Sequence, residues 1–129
     1  MSAVDRLLAQ ARLGLRRVDP HQAQQIAESG GLLVDIRPAA QRAEFGEVPG
    51  AIILERNNLE WRLDPGGSHR NPQAENPDRP VVIICQEGYA SSLAAASLLE
   101  VGRTAVTDLD GGFVAWKQAG LPTTPGSRR

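Results

Sequence analysis

The sequence predicts an α/β domain: a parallel sheet with helices on both faces. Three observations carry this. Short, mostly apolar runs recur along the chain: LLVDI (32–36), AIIL (51–54), VVIIC (81–85) and TAVTDL (104–109). Segments with helical spacing alternate with them, and glycine or proline marks most seams. Strands that read as continuous apolar runs are covered on both sides, as in parallel sheets. Alternating helices supply the crossovers that such a sheet requires. The 129 residues suffice for one domain with a buried core.

Taken in order, Val4, Leu7, Leu8, Ala11 and Leu15 fall at helical spacing and predict an amphipathic N-terminal helix over residues 3–15. Its apolar stripe would dock on the domain, with an oligomer contact as the second use. Asp19 and Pro20 suit a helix cap and first turn, and Gly30-Gly31 suits the end of that helix. After LLVDI, Pro38 opens a helix running to Phe45. GEVPGA reads as a turn before AIIL, and NNLEWRL (57–63) as one or two helical turns. Residues 64–80 have no apolar period and are dense in Pro, Gly and Asn, which predicts an exposed, mobile loop. VVIIC and the helix SSLAAASLLEVG follow, then TAVTDL and a final helix in GGFVAWKQAG. The expected boundaries are an N-terminal helical extension at 1–16, the domain at 17–122 and a tail at 123–129.

A net charge of −1 gives no electrostatic reason to expect nucleic acid or an acidic membrane surface as a partner. No stretch approaches the roughly 20 apolar residues of a membrane span. The N-terminus lacks the pattern of a secretory signal. Cys85 is the single cysteine, so neither an internal disulfide nor a multi-cysteine metal site is available, and the cytoplasm is the expected compartment. No cofactor and no metal are expected.

Cys85 ends the most apolar run, at the edge of the sheet where α/β folds bind ligands. Gln86, Glu87, Gly88, Tyr89, Ala90 and Ser91 follow it. Gly88 permits a left-handed turn that curls successive amides inward. Ser91 or Ser92 is expected to cap the next helix, whose first-turn N–H groups would face the sulfur. A helix terminus offers an anion about 0.3–1 kcal/mol. Hydrogen bonds to a charged group contribute about 1.5–3 kcal/mol each, so two or three loop amides outweigh the dipole. A lone cysteine is more often a small core hydrophobe. Strand, cysteine, glycine-bearing loop and helix in succession favour a reactive thiolate instead.

Four pieces in this order resemble a single-domain rhodanese, a rhodanese-like sulfurtransferase. LLVDIRPAAQRAEFGEVPGA, the linker from Arg56 to Leu63, VVIICQEGYASSLAAASLLEVG and LDGGFVAWKQAGLP together cover about Val18 to Pro122. The resemblance implies a five-stranded parallel sheet flanked by helices. It implies that Cys85 takes a sulfane sulfur from a small donor, becomes a persulfide and passes the outer sulfur to a thiol or cyanide acceptor. Thiosulfate and low-molecular-weight persulfides are the donors to expect, and a protein could also serve as donor or acceptor. The alternative is a rhodanese-like carrier or sensor that holds sulfur for a protein partner without turnover.

One departure bears on the donor. Thiosulfate-using members often carry a cation in the loop, and here Ala90 takes that place while Glu87 adds negative charge. Arg56 and Arg62 lie in a segment able to border the site and restore positive potential, although surface ion pairing is the commoner fate for Arg62. Asp35 and Arg37 are expected to pair and hold neighbouring loops, with substrate contact as the secondary role. His21 and His69 are expected in solvent, away from Cys85. Trp116 is expected to anchor packing with Phe113; Trp61 would anchor packing or line the site mouth. Gly111 and Gly112 serve the turn and allow close approach to the loop. A cysteine phosphatase would want histidine before Cys85 and arginine six residues after it; Ile84 and Ser91 stand there.

Overall fold

The protein is described from a computed structural model over residues 1–126; the last three residues of the expected tail lie outside the described residues. Four parallel strands, β1 (Leu32–Asp35), β2 (Ile52–Ile53), β3 (Val81–Ile84) and β4 (Val106–Asp108), form one sheet in the order β2-β1-β3-β4. The α-helices are α1 (Ala3–Arg12), α2 (Pro20–Glu28), α3 (Ala39–Phe45), α4 (Leu59–Leu63), α5 (Ala90–Glu100) and α6 (Gly112–Gln118). Short 3-10 turns cover Arg56–Asn58 and Pro72–Ala74.

The four apolar runs of the sequence each supply one strand, trimmed at the ends. The fifth strand is not formed among the described residues. Val18 occupies its place, bridging in parallel to Leu109 at a single position. Its N–H donates to the Asp108 carbonyl (3.2 Å), and its own carbonyl accepts from the Asp110 N–H (2.8 Å). Asp19 then caps α2, and Pro20, which has no N–H to give a ladder, starts that helix. The pairing therefore ends after one residue.

Side-chain alternation along the strands builds two cores. Leu32 and Val34 of β1 join Val81 and Ile83 of β3 and Ala94, Ala95 and Leu98 of α5 on one face. Leu33, Val82 and Ile84 join Ala23, Phe113 and Trp116 of α2 and α6 on the other. β1 and β3, buried on both sides, have no use for a polar alternation. The Trp116 indole N–H donates to the Pro122 carbonyl (2.8 Å), tying the chain beyond α6 to this second core.

Helix α1 ends at Arg12, earlier than the apolar spacing suggests. Ser2 and Asp5 form a reciprocal capping box at its start. It packs against α5 but leaves Val4 and Leu7 exposed. No helix among the described residues is long and apolar enough to cross a membrane.

Residues 64–80 are largely exposed, as expected, and are tied to the domain at several points. The fully buried Ala74 anchors the segment, and the buried Arg103 guanidinium ties it down. Its Nη1 donates to the carbonyls of Leu63 (3.2 Å) and Ala74 (2.8 Å), and its Nη2 to those of Asn76 (2.9 Å) and Arg79 (3.2 Å). These carbonyls have no ladder to join, so a side chain from the far side of α5 satisfies them. Replacing Arg103 by Met is expected to cost about 2–4 kcal/mol, because the carbonyls lose their donor. Urea unfolding checks the stability, and faster amide exchange at Ala74 and Thr104 would locate the loosening.

Candidate active site

β3 ends at Ile84, so Cys85 is the first residue beyond the strand rather than its last. The alternation of β3 still governs it: Val81, Ile83 and Cys85 share one face, the face covered by α5. The sulfur consequently meets the N-terminal turn of that helix. Cys85 Sγ accepts the Gly88 N–H (3.2 Å) and the Ser91 N–H (3.3 Å). The residue is only 7% exposed, yet it opens into a cavity of about 380 Å³. Ile36, Pro38, Tyr89 and Ala90 form apolar parts of its wall, and Arg37, Gln41, Arg56, Gln86 and Glu87 the polar parts.

The loop keeps this shape because its carbonyls are held from outside. The Cys85 carbonyl accepts the Phe113 N–H (2.9 Å), and the Gln86 carbonyl the Val114 N–H (3.1 Å). Both donors come from the first turn of α6, whose N–H groups need partners outside their own helix. The Gly88 carbonyl accepts from Arg12 Nη2 and Arg17 Nη2, each at 2.8 Å. Gly88 itself has φ +90°, open to glycine and strained for other residues. Gly112, with φ +60°, lies so close that an added Cβ would sit 2.5 Å from the Cys85 carbonyl oxygen.

Asp35 and Arg37 form a buried forked pair, with the shortest contact at 2.8 Å. Arg37 Nη1 also donates to Gln86 Oε1 (3.0 Å) and Nη2 to the Gly46 carbonyl (2.8 Å), while its guanidinium stacks over the Phe113 ring. Arg37 thus ties β1, the turn after α3, α6 and the cysteine loop together. Arg56 lines the Cys85 cavity, but Glu60 holds its Nη1 at 2.8 and 2.9 Å. Burial works to raise the Glu60 pKa. Hydrogen bonds from Ser97 and Arg56 and the Arg56 charge outweigh it, holding the group below the usual carboxylate range.

Several expected placements are corrected. Arg62 does not line the Cys85 cavity; its Nη1 donates to the His69 carbonyl (2.8 Å), because α4 turns it toward the 64–80 segment. Trp61 is 64% exposed and neither anchors a core nor borders the sulfur. It lines a separate hollow with Asn57, Asn58, Arg62 and His69. Tyr89 takes the N-cap position of α5 with no side-chain cap, so neither Ser91 nor Ser92 caps it. Their hydroxyls donate instead to Asp108 Oδ2, at 2.7 and 2.8 Å, since the helix turns both inward toward β4. Glu87 is exposed at the cavity rim.

Sequence reasoning missed Arg12, Arg17 and Asp108. Arg17 Nε and Nη2 fork onto the carboxylate of Asp108 (3.0 and 3.1 Å), and Arg12 Nε donates to Ser92 Oγ (3.0 Å). The partners stand more than 70 residues away in the chain, and isolated arginines carry no spacing signal.

The profile of the rhodanese-like domain matches residues 19–119. The chain belongs to the rhodanese-like family. The thiosulfate sulfurtransferase GlpE of Pseudomonas savastanoi pv. phaseolicola is 31% identical over 102 residues, spanning 79% of this chain and 87% of that protein. The enzyme of the same name from Pseudomonas fluorescens strain Pf0-1 is 33% identical over 79% of this chain and 84% of its own length. Among solved structures, a protein of unknown function from Rhodopseudomonas palustris, described as a possible tyrosine phosphatase, superposes with a TM-score of 0.85 at 28% identity, over 95% of each chain. The rhodanese-like match starts beyond Arg12 and Arg17, which therefore lie outside the family profile.

Gly112→Ala tests the packing of α6 on the cysteine loop. The substitution drives a methyl group into the Cys85 and Gln86 carbonyls and strains φ. We expect destabilisation of about 1–3 kcal/mol in thermal melts. The rate of Cys85 alkylation by iodoacetamide should fall as well, and an unchanged rate would show that the loop tolerates the methyl group.

Proposed function

We propose that this protein is a sulfurtransferase that carries sulfur as a persulfide on Cys85. The observation that carries the reading is the pair of N–H donors, from Gly88 and Ser91, converging on Cys85 Sγ at the floor of an open cavity. Donors fixed in advance around one atom stabilise negative charge there without reorganising. The Cys85 thiolate attacks the outer sulfur of a donor such as thiosulfate. A new S–S bond forms, the donor's S–S bond breaks, and sulfite leaves with the electron pair. Cyanide or a thiolate then attacks the outer sulfur of the persulfide, taking it as thiocyanate or a new persulfide and returning the Cys85 thiolate. No net redox change reaches the protein, and this is nucleophilic catalysis in two half-reactions. A single free thiol of this kind suits a reducing compartment such as the cytoplasm.

The cavity favours a donor less anionic than thiosulfate. Its two arginines, Arg37 and Arg56, are already paired with Asp35 and Glu60, and Glu87 faces the rim. A low-molecular-weight persulfide or a protein persulfide carries less negative charge on its sulfurs than the thiosulfate dianion, and its carbon stem can lie against Ile36, Pro38 and Tyr89. A phosphatase reading draws on the solved relative of that description. Against it, no arginine stands in the loop to fork onto phosphoryl oxygens, and the Ser91 hydroxyl is engaged by Asp108.

Two experiments follow. Intact-mass spectrometry after exposure to candidate donors should show one added sulfur on the wild type and none on Cys85→Ala; a wild type that gains no sulfur from any donor sinks the reading. Steady turnover with cyanide or a thiol supports an enzyme, and persulfidation without turnover a carrier. Separately, Glu87→Arg or Glu60→Gln should lower the KM for thiosulfate severalfold by exposing positive charge to a dianion. Unchanged KM values in both variants would refute this electrostatic account of donor choice.

A further inference from the structure

We propose that Arg17, assisted by Arg12, is the positioning residue of the Cys85 loop and supplies from the N-terminal segment the cation that the loop itself lacks. This inference rests on the sulfur-transfer reading and extends it to residues outside the family profile.

Two amides hold the sulfur, those of Gly88 and Ser91. Arg17 reaches both through one intermediary each. Its Nη2 accepts no proton but donates two bonds: one to the Gly88 carbonyl (2.8 Å) and one to Asp108 Oδ2 (3.1 Å). That same carboxylate oxygen receives the Ser91 hydroxyl (2.7 Å) and the Ser92 hydroxyl (2.8 Å). One guanidinium therefore fixes the carbonyl of the first residue and, across Asp108, the side chain of the second. Arg12 adds a second donor to the Gly88 carbonyl (2.8 Å) and one to Ser92 Oγ (3.0 Å).

The peptide geometry makes this consequential. In a planar trans peptide the C=O and the following N–H point in opposite directions. Holding the Gly88 carbonyl from the side of Arg12 and Arg17 fixes the Gly88–Tyr89 peptide and with it ψ at Gly88, the joint to the neighbouring peptide that presents the Gly88 N–H to the sulfur. The φ of +90° at Gly88 is accessible but not enforced in glycine, so an external grip is needed to select it. Asp108 is fully buried, and a carboxylate there requires a cation and several donors. Arg17 supplies the charge and the two serines the remaining bonds. A side chain merely bracing the fold would not need to reach the carbonyl of the sulfur-binding turn.

Electrostatics points the same way. Burial acts to lower the Arg17 pKa, but the hydrogen bond and charge of Asp108, the charge of Asp110 and that of Cys85 raise it on balance. The Arg17 guanidinium is thus held in its charged form by the groups around it.

The test uses the full chain with Arg17→Gln, Arg17→Lys and Arg12→Gln, each with a thermal melt, kcat and KM for a persulfide donor and cyanide, and the iodoacetamide alkylation rate of Cys85 at mildly acidic pH. Arg17→Gln is expected to lower kcat and the alkylation rate by roughly tenfold or more, the size of one lost charge-assisted hydrogen bond. Donor KM should stay within about threefold, because the residue does not touch substrate. Arg17→Lys keeps the charge but not the fork, and should recover most of the melting temperature but less than half of the lost rate. A folded Arg17→Gln that keeps both rates within about twofold of wild type overturns the proposal. So does full recovery of rate by lysine. Should Arg17→Gln fail to fold, Arg12→Gln decides: a rate loss of about threefold or more at unchanged melting temperature supports the proposal, and unchanged rates overturn it. Alkylation needs no sulfur donor. If the wild type accepts no sulfur at all, the functional reading fails while the alkylation series still reports on Arg17.

Discussion

The structure turns on how the peptide units around Cys85 are oriented. Each unit has a donor and an acceptor facing opposite ways, so amides can converge on the sulfur only if the carbonyls are satisfied elsewhere. Here the first turn of α6 takes the Cys85 and Gln86 carbonyls, and two arginines take that of Gly88. The Gly88 and Ser91 N–H groups are left to the sulfur. The closeness of α6 depends in turn on Gly112, where any side chain would collide with the loop. The candidate site is thus the inner side of a turn whose Cys85, Gln86 and Gly88 carbonyls are held from outside.

Charge is distributed in two layers. The layer that faces the cavity is close to neutral or negative, because Arg37 and Arg56 are paired and Glu87 stands at the rim. The layer behind the loop is cationic, with Arg12 and Arg17 against Gly88 and Arg17 on Asp108. Such an arrangement separates two tasks. In the proposed sulfur transfer, fixed dipoles and charges behind the sulfur hold its negative charge, and the shape and polarity of the mouth meet the donor. A loop arginine would serve both tasks at once, and Ala90 at that position leaves them uncoupled.

Much of the site was legible because it is local. Val81 to Ser91 contain the strand, the cysteine and the turn in one stretch, and period-two alternation fixes which face the thiol takes. Gly112 was legible as a place of close approach. Two features were not legible. Ser91 and Ser92 carry the local signature of a cap, but a buried carboxylate on β4 outcompetes the backbone for their hydroxyls. Residues 64–80 have the composition of a loop with few ties, but Arg103, more than 20 residues further on, donates to their carbonyls. In each case the deciding partner is distant in the chain and is a single charged residue without periodicity.

The sequence by itself determined the alternation of strands and helices, the parallel sheet and the placing of Cys85 at a strand-to-helix turn. These follow from apolar period, turn residues and chain order, all of them short-range. Tertiary structure alone decided that Val18 makes one bridge and not a fifth strand, that Arg56 reaches the cavity while Arg62 does not, and that Arg12, Arg17 and Asp108 hold the loop. The reason is physical: a long charged side chain can reach any acceptor within its span, and which acceptors come within that span depends on the packing of α1, β4 and α5 against one another.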